Sequence, residues 1–272
     1  MPTSTPIPIC RDVQGFDMAN TFTRLARSLP FVFVFLPAVA HGQETAEEII
    51  DRVDRILRGE SSRGTATMEV VTEHWERSMT MKVWSLGTEY SLVRITAPKK
   101  EAGTATLKAG DEIWNYLPRV DRTIKIPPSM MMGSWMGSHF TNDDLVKESR
   151  LVEDYDIEIA YEGERDGVAV WEFDLRPKQE AAVVWGRIEY QVRKDDLMPT
   201  WARYYDEDGN LVRMLNFSDY RVMDDRLVPT VMTMRPEDKP DEHTTIRYRD
   251  LEFNIGLDES FFSLRALRSG GR

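Results

Sequence analysis

The residues able to do covalent chemistry are few and poorly spaced for it. His41, His74, His139 and His243 are scattered, with no His-x-x-x-His or similar ligand spacing. The single cysteine is Cys10, and no Gly-x-Ser-x-Gly elbow occurs, so neither nucleophile has a recognisable setting. His139 stands beside Phe140 and reads as a loop histidine rather than a base. The carboxylate pairs Asp143/Asp144, Asp195/Asp196 and Asp224/Asp225 are sequence neighbours. Neighbours point to different faces, and these sit at turns or a helix start, where solvated capping roles are expected. No glycine-rich phosphate loop follows a strand. The expectation is therefore no catalytic residue, no metal and no cofactor. Glycosidase carboxylates need no local motif, so an envelope enzyme acting on lipid or glycan stays as an alternative.

Non-covalent chemistry is concentrated in one place, Pro127–Glu153. The first half carries Met130, Met131, Met132, Trp135, Met136 and Phe140 among glycine, serine and proline. It is too irregular for a helix or strand and too apolar for a solvated loop. Methionine is flexible and polarizable and suits irregular apolar partners, while Gly133 and Gly137 allow movement. Two readings follow: a lid over an apolar cavity, or a plug packed into the open end of a sheet. The second half looks helical, with Thr141 or Asn142 as cap and Asp143 and Asp144 complementing the dipole.

The elements on either side must position this segment. Thr45–Arg58 has apolar residues at helical spacing from Ala46 to Leu57, acidic first turns and a stop at Gly59. From Thr65 onward the period changes to two. Alternating runs are predicted over 65–74, 78–86, 89–96, 105–108, 113–117 and 123–126. After the interruption they return over 157–161, 168–176, 186–192, 200–205, 211–220, 227–235 and 244–253. About a dozen short strands joined by turns such as Asp206–Asn210 predict a mainly β antiparallel sandwich or barrel. Strand faces can also be sorted. Ala169, Trp171, Phe173 and Leu175 oppose Glu172, Asp174 and Arg176, and Ile188, Tyr190 and Val192 oppose Arg187, Glu189 and Gln191.

The N-terminus reads as an address. Arg24 and Arg27 precede the apolar run Leu29–Leu36, and Ala38-Val39-Ala40 follows, the order of a cleavable secretory signal. The apolar run is too short to span a bilayer. Met18 is the expected start, and cleavage is expected after Ala40 or Gly42. That removes Cys10 and leaves residues 43–272 as a single periplasmic domain without a lipid or membrane anchor. The chain carries a net charge of −11, which disfavours nucleic acid and anionic membranes as partners.

Several segments together resemble the outer membrane lipoprotein-sorting protein family, a LolA-like group. They are the leading helix, Tyr116-Leu117-Pro118-Arg119-Val120-Asp121-Arg122, and Met136-Gly137-Ser138-His139-Phe140-Thr141-Asn142-Asp143-Asp144-Leu145. Tyr204-Tyr205-Asp206 with Asp208-Gly209, Val228-Pro229 and the ending Gly256-Leu257-Asp258-Glu259-Ser260-Phe261-Phe262 fit as well. The resemblance implies a strongly curved, unclosed antiparallel barrel with an N-terminal helix and a helical or loop lid. It implies a periplasmic carrier holding acyl chains of a lipid or lipoprotein, possible service to an inner-membrane lipid exporter, and no enzyme activity. The residues expected to form the acyl cavity and its lid are Trp84, Trp114, Tyr116, Met130, Met131, Met132, Trp135, Met136, Phe140, Leu145, Trp171, Phe173 and Tyr190. A non-carrying interaction module of an envelope complex is the further alternative.

Overall fold

Helix α1 (Ala46–Arg58) starts at a reciprocal cap. The Thr45 N–H donates to Glu48 Oε2 at 2.9 Å, and the Glu48 N–H donates to Thr45 Oγ1 at 3.2 Å. Its stripe of Ala46, Ile49, Ile50 and Val53 is buried, and Gly59 ends it at a φ of 65°. The computed structural model describes residues 44–147, 151–181 and 183–269, so the expected export signal and Cys10 lie outside the described residues.

All thirteen alternating runs form strands. The first meander is β1 (Ser61–Val71), β2 (Glu76–Leu86), β3 (Tyr90–Ala97), β4 (Ala105–Ala109), β5 (Glu112–Leu117) and β6 (Arg122–Lys125). The second is β7 (Tyr155–Arg165), β8 (Val168–Pro177), β9 (Arg187–Arg193), β10 (Pro199–Tyr205), β11 (Leu211–Met223), β12 (Arg226–Pro236) and β13 (His243–Phe253). They make one antiparallel sheet, ordered β6-β5-β4-β3-β2-β1-β13-β12-β11-β10-β9-β8-β7. The two meanders join where β1 pairs with β13. Strand β1 starts earlier than its alternation predicts, at Ser61, because β2 and β13 flank it and pair with it on both sides. Gly64 lies inside that extension. A Cβ there would meet the Asp250 carbonyl oxygen at 2.6 Å, so only glycine lets β13 approach this closely.

The sheet curls without closing. Eight strand steps separate β4 from β9, which at the usual strand spacing is about 40 Å across a flat sheet. Lys108 of β4 and Ile188 of β9 nonetheless face one cavity. The free edges are β6 and β7, and residues 126–154 run from one to the other. The main core fills the concave side and includes Met68, Met81, Ile95, Phe173, Leu175 and Leu215.

A second, smaller core lies on the convex side of β2–β5. Leu92, Ala105 and Leu107 pack there with Phe262 and with Leu267 of α4 (Leu264–Ser269). Arg94 fastens that cover by donating to the carbonyls of Ala266 at 2.8 Å and Leu267 at 2.9 Å. Over β8 and β9 the convex side is polar instead. Register pairs Trp171 with Val192, Phe173 with Tyr190 and Leu175 with Ile188, which is the face sorting read from alternation. On the outer face Glu172 pairs with Gln191, and a hydrogen bond from Arg165 is the largest of the effects holding its carboxyl below the usual range. No helix among the described residues is long and apolar enough to cross a membrane.

Candidate functional site

The described residues of the 127–154 segment cross the concave face as a strap. Its turns are held by its own backbone: Trp135 N–H donates to the Phe140 carbonyl at 2.8 Å, and Asn142 N–H to the Gly133 carbonyl at 3.0 Å. The Asn142 side-chain amide donates to the Met130 carbonyl at 3.0 Å. Two consecutive residues, Met136 and Gly137, take positive φ, which turns the chain tightly enough to point Trp135 and Phe140 inward.

Four strands anchor the strap through polar contacts. The Trp135 indole N–H donates to Thr106 Oγ1 of β4 at 3.1 Å, and Arg77 of β2 donates to the Met136 carbonyl at 3.1 Å. On β13, the His139 N–H donates to Thr244 Oγ1 at 3.0 Å, and its ring lies 2.8 Å from the same hydroxyl and 3.2 Å from Glu242. On β11, Arg213 donates to the His139 carbonyl at 3.2 Å and clasps Asp144 with both terminal nitrogens. His139 is a pinned loop residue. The segment covers the concave face as a lid would, and it is built into the core at Trp135, which is 3% exposed.

Helix α2 (Asp144–Lys147) begins after Thr141, whose hydroxyl accepts the Asp144 N–H at 3.2 Å, and α3 (Leu151–Asp154) leads into β7. The expectation of solvated capping carboxylates is corrected here: Asp143 is 4% and Asp144 9% exposed. Asp144 does cap its helix, but burial is tolerated because Arg213 supplies a charge-assisted fork. Nearby Tyr155 is pushed well above the ordinary phenol range, first by burial and then by the charges of Asp143, Asp154 and Asp144.

Between strap, α1, α3 and sheet lies a cavity of about 430 Å³, within the range that holds small organic ligands. Its wall is mainly apolar, from Ile50 and Val53 on α1 through Ala66, Met81, Ala202 and Ile246 on the sheet. Of the residues expected at the site, Trp135, Phe140, Leu145 and Tyr190 come together in this wall. Phe173 is buried in the main core beside Tyr190, and Trp171 and Met136 pack against that core. Trp171 also carries the Lys194 ammonium 4.8 Å above its ring. Met130 and Met132 are half exposed, at 53% and 51%, and the Met131 carbonyl accepts the Asp143 N–H at 2.9 Å.

Trp84, Trp114 and Tyr116 lie elsewhere. They pack into the convex core under α4, with Trp84 5.9 Å from Phe261 and the Tyr116 hydroxyl donating to Asp121 at 3.0 Å. The cavity residues on β2 are instead Met81, Val83 and Ser85, one position out of phase with Trp84. Aromatic content alone does not find them. The available signal is parity: Ala66, Met68 and Val70 on β1 share the face that pairs with Met81 and Met79. Trp185 and Tyr204, whose rings lie 5.4 Å apart at a tilt of 58° and flank Arg213, carry no sequence signal for the cavity beyond being aromatic.

A family model described as "-like: Uncharacterized protein" matches residues 87–269. No curated protein matches the sequence. Among solved structures, the chain is similar to a DUF1329 family protein from Desulfovibrio piger, with a TM-score of 0.74 and 26% identity over 82% of this chain and 97% of that one. It is similar to a Vibrio parahaemolyticus domain described as an outer membrane lipoprotein-sorting protein, with a TM-score of 0.72 and 23% identity over 82% and 98% of the two chains. A LolA superfamily protein from Nitrosomonas europaea gives a TM-score of 0.69 and 22% identity over 81% and 98%.

Proposed function

We propose that this chain, which shares the fold of LolA-like, outer membrane lipoprotein-sorting proteins, is an envelope carrier that holds acyl chains in the cavity under its strap. The observation that carries this reading is the cavity itself: about 430 Å³, walled mainly by apolar side chains and bounded by strands from both meanders. An acyl chain in water costs about 0.8 kcal/mol per exposed methylene, and a dry wall of this kind offsets that cost. Trp135, Phe140, Leu145 and Tyr190 are the proposed acyl contacts among the residues singled out by sequence. No bond need form or break, so transfer follows differences in affinity between donor, carrier and acceptor.

The cellular setting follows from the same reading. Residues 18–42 direct export and are removed, and residues 43–272 work as one periplasmic domain. The cargo is a lipid or a lipoprotein, and an inner-membrane lipid exporter is the proposed partner. The net negative charge keeps a shuttle from lodging on anionic bilayers. The test is native mass spectrometry of the protein purified from its host, with lipid extraction and titration of a fluorescent fatty-acyl probe. Co-purifying acyl lipid supports the proposal. An empty protein that takes up no probe sinks it.

A further inference from the structure

The strap is fastened to four strands, so lifting it to admit cargo would break all of those contacts at once. The sheet itself offers another way in. Strands β12 and β13 each run for 11 residues, yet they pair only where Val231–Met234 meets Thr244–Arg247. Beyond that point the two strands part. Residues 226–229 of β12 stay with β11, and residues 248–253 of β13 stay with β1.

Each strand carries its own reason to part. Continuing the register of Val231 and Arg247 by two residues would set Pro229 against Arg249. Pro229 has no N–H to give to a ladder. Arg249 is an extra residue in β13, because Thr65 pairs with Asp250 and Ala66 with Tyr248, and a bulge of this kind bends its strand. The Asp250 carboxylate accepts the Thr65 N–H at 3.0 Å, so the bulge is satisfied from the β1 side. Strand β11 is distorted at the same level, where Asp219 takes a φ of 54° and its carbonyl accepts the Thr230 hydroxyl at 2.6 Å.

The gap closes again at its far end. The Phe253 N–H donates to the Asp224 carboxylate at 2.7 Å. The Arg226 guanidinium lies 4.8 Å from the Phe253 ring and donates to the Arg55 carbonyl of α1 at 3.3 Å. Between the last ladder pair and these ties lies a window about 15 Å long at the usual rise per residue. Its rims belong to the cavity wall and are mainly apolar: Val228 and Pro229 on β12, Tyr248 and Leu251 on β13, and Leu57 in the last turn of α1.

We infer that cargo passes through this window: an acyl chain threads end-on between β12 and β13 into the cavity while the strap stays in place. The inference rests on the acyl-carrier reading above and adds the route of exchange to it. Leu57, Val228, Pro229, Tyr248 and Leu251 are the side chains the cargo slides past. Spreading the rims breaks no strand pairing, whereas lifting the strap breaks the buried Arg213–Asp144 clasp. Local opening favours the place with the fewest bonds to lose.

Stopped-flow uptake and release of a fluorescent fatty-acyl probe tests it, because a portal changes both rates together. Leu251→Trp narrows the rim and should slow uptake and release alike, by roughly tenfold. Asp224→Ala removes a tie outside the cavity wall and should speed both by a similar factor with Kd unchanged. Arg77→Met loosens the strap and should leave both rates as they are. Wild-type rates in Leu251→Trp and Asp224→Ala, or faster exchange in Arg77→Met alone, overturn the inference while leaving the carrier reading intact. If Leu251→Trp does not fold, Asp224→Ala and Arg77→Met decide. Failure of the wild-type protein to take up the probe removes the carrier reading instead.

Discussion

Arg213 and Asp144 form a buried, two-pronged ion pair, with Nη1 2.8 Å from Oδ2 and Nη2 against Oδ1. Their side chains are 4% and 9% exposed, and the rings of Trp185 and Tyr204 lie 4.3 and 4.5 Å from the guanidinium carbon. One partner belongs to the second meander and the other opens α2 at the end of the strap. The pair therefore fastens the cover of the cavity to the sheet that lines it.

Asp144→Ala should destabilise the protein by about 3–5 kcal/mol, because it leaves a guanidinium buried without its counter-charge. Urea denaturation measures this. The double variant Asp144→Leu/Arg213→Met should recover most of the loss, since removing both charges removes the desolvation cost. A loss below about 1 kcal/mol for Asp144→Ala would place the fastening elsewhere.

Trp135→Ala should lower stability by about 3–5 kcal/mol, since it empties a large buried volume and removes the hydrogen bond from the indole to Thr106. Met132→Ser, at a half-exposed position, should stay within about 0.5 kcal/mol. The comparison separates a strap built into the core from a detachable flap. An unchanged thermal midpoint for Trp135→Ala would identify a flap.

Ala202 sits in the cavity wall with its methyl group buried. Ala202→Phe should abolish uptake of an acyl probe at a stability cost below about 3 kcal/mol, because the ring has space to enter. Retained uptake would show that the probe binds outside this cavity.

Tyr155 carries a pH signature. Burial, with Asp143, Asp154 and Asp144 nearby, raises its pKa above the ordinary value of 10.0 in the folded state. The folded protein thus holds the phenol proton more tightly than the unfolded chain does. The resulting stability is fully present below the ordinary phenol pKa and is lost as pH rises through and beyond it. Denaturant midpoints measured through that alkaline range should fall, and Tyr155→Phe should flatten the decline. Parallel curves for both proteins would refute the assignment.

Local pattern carried most of the fold. Period-two alternation determines the strands because a half-buried strand must alternate, and it also determines which neighbours share a face, as Trp171, Phe173 and Leu175 do. Parity says nothing about which face is inside. On β2–β5 both faces carry apolar residues, since α4 covers the convex one. Trp84, Trp114 and Tyr116 therefore look as suited to a cavity as Met81 and Val83, which are the residues that line it. The strap shows the same division. Its methionines and aromatics mark it as a cover, but Trp135 goes inward and Met132 outward only because Thr106 receives the indole and the Met136–Gly137 turn aims it. Pro229 and Arg249 lie apart in sequence and read as ordinary strand residues. Register sets them at one level and parts β12 from β13 there, and register is a property of the assembled sheet.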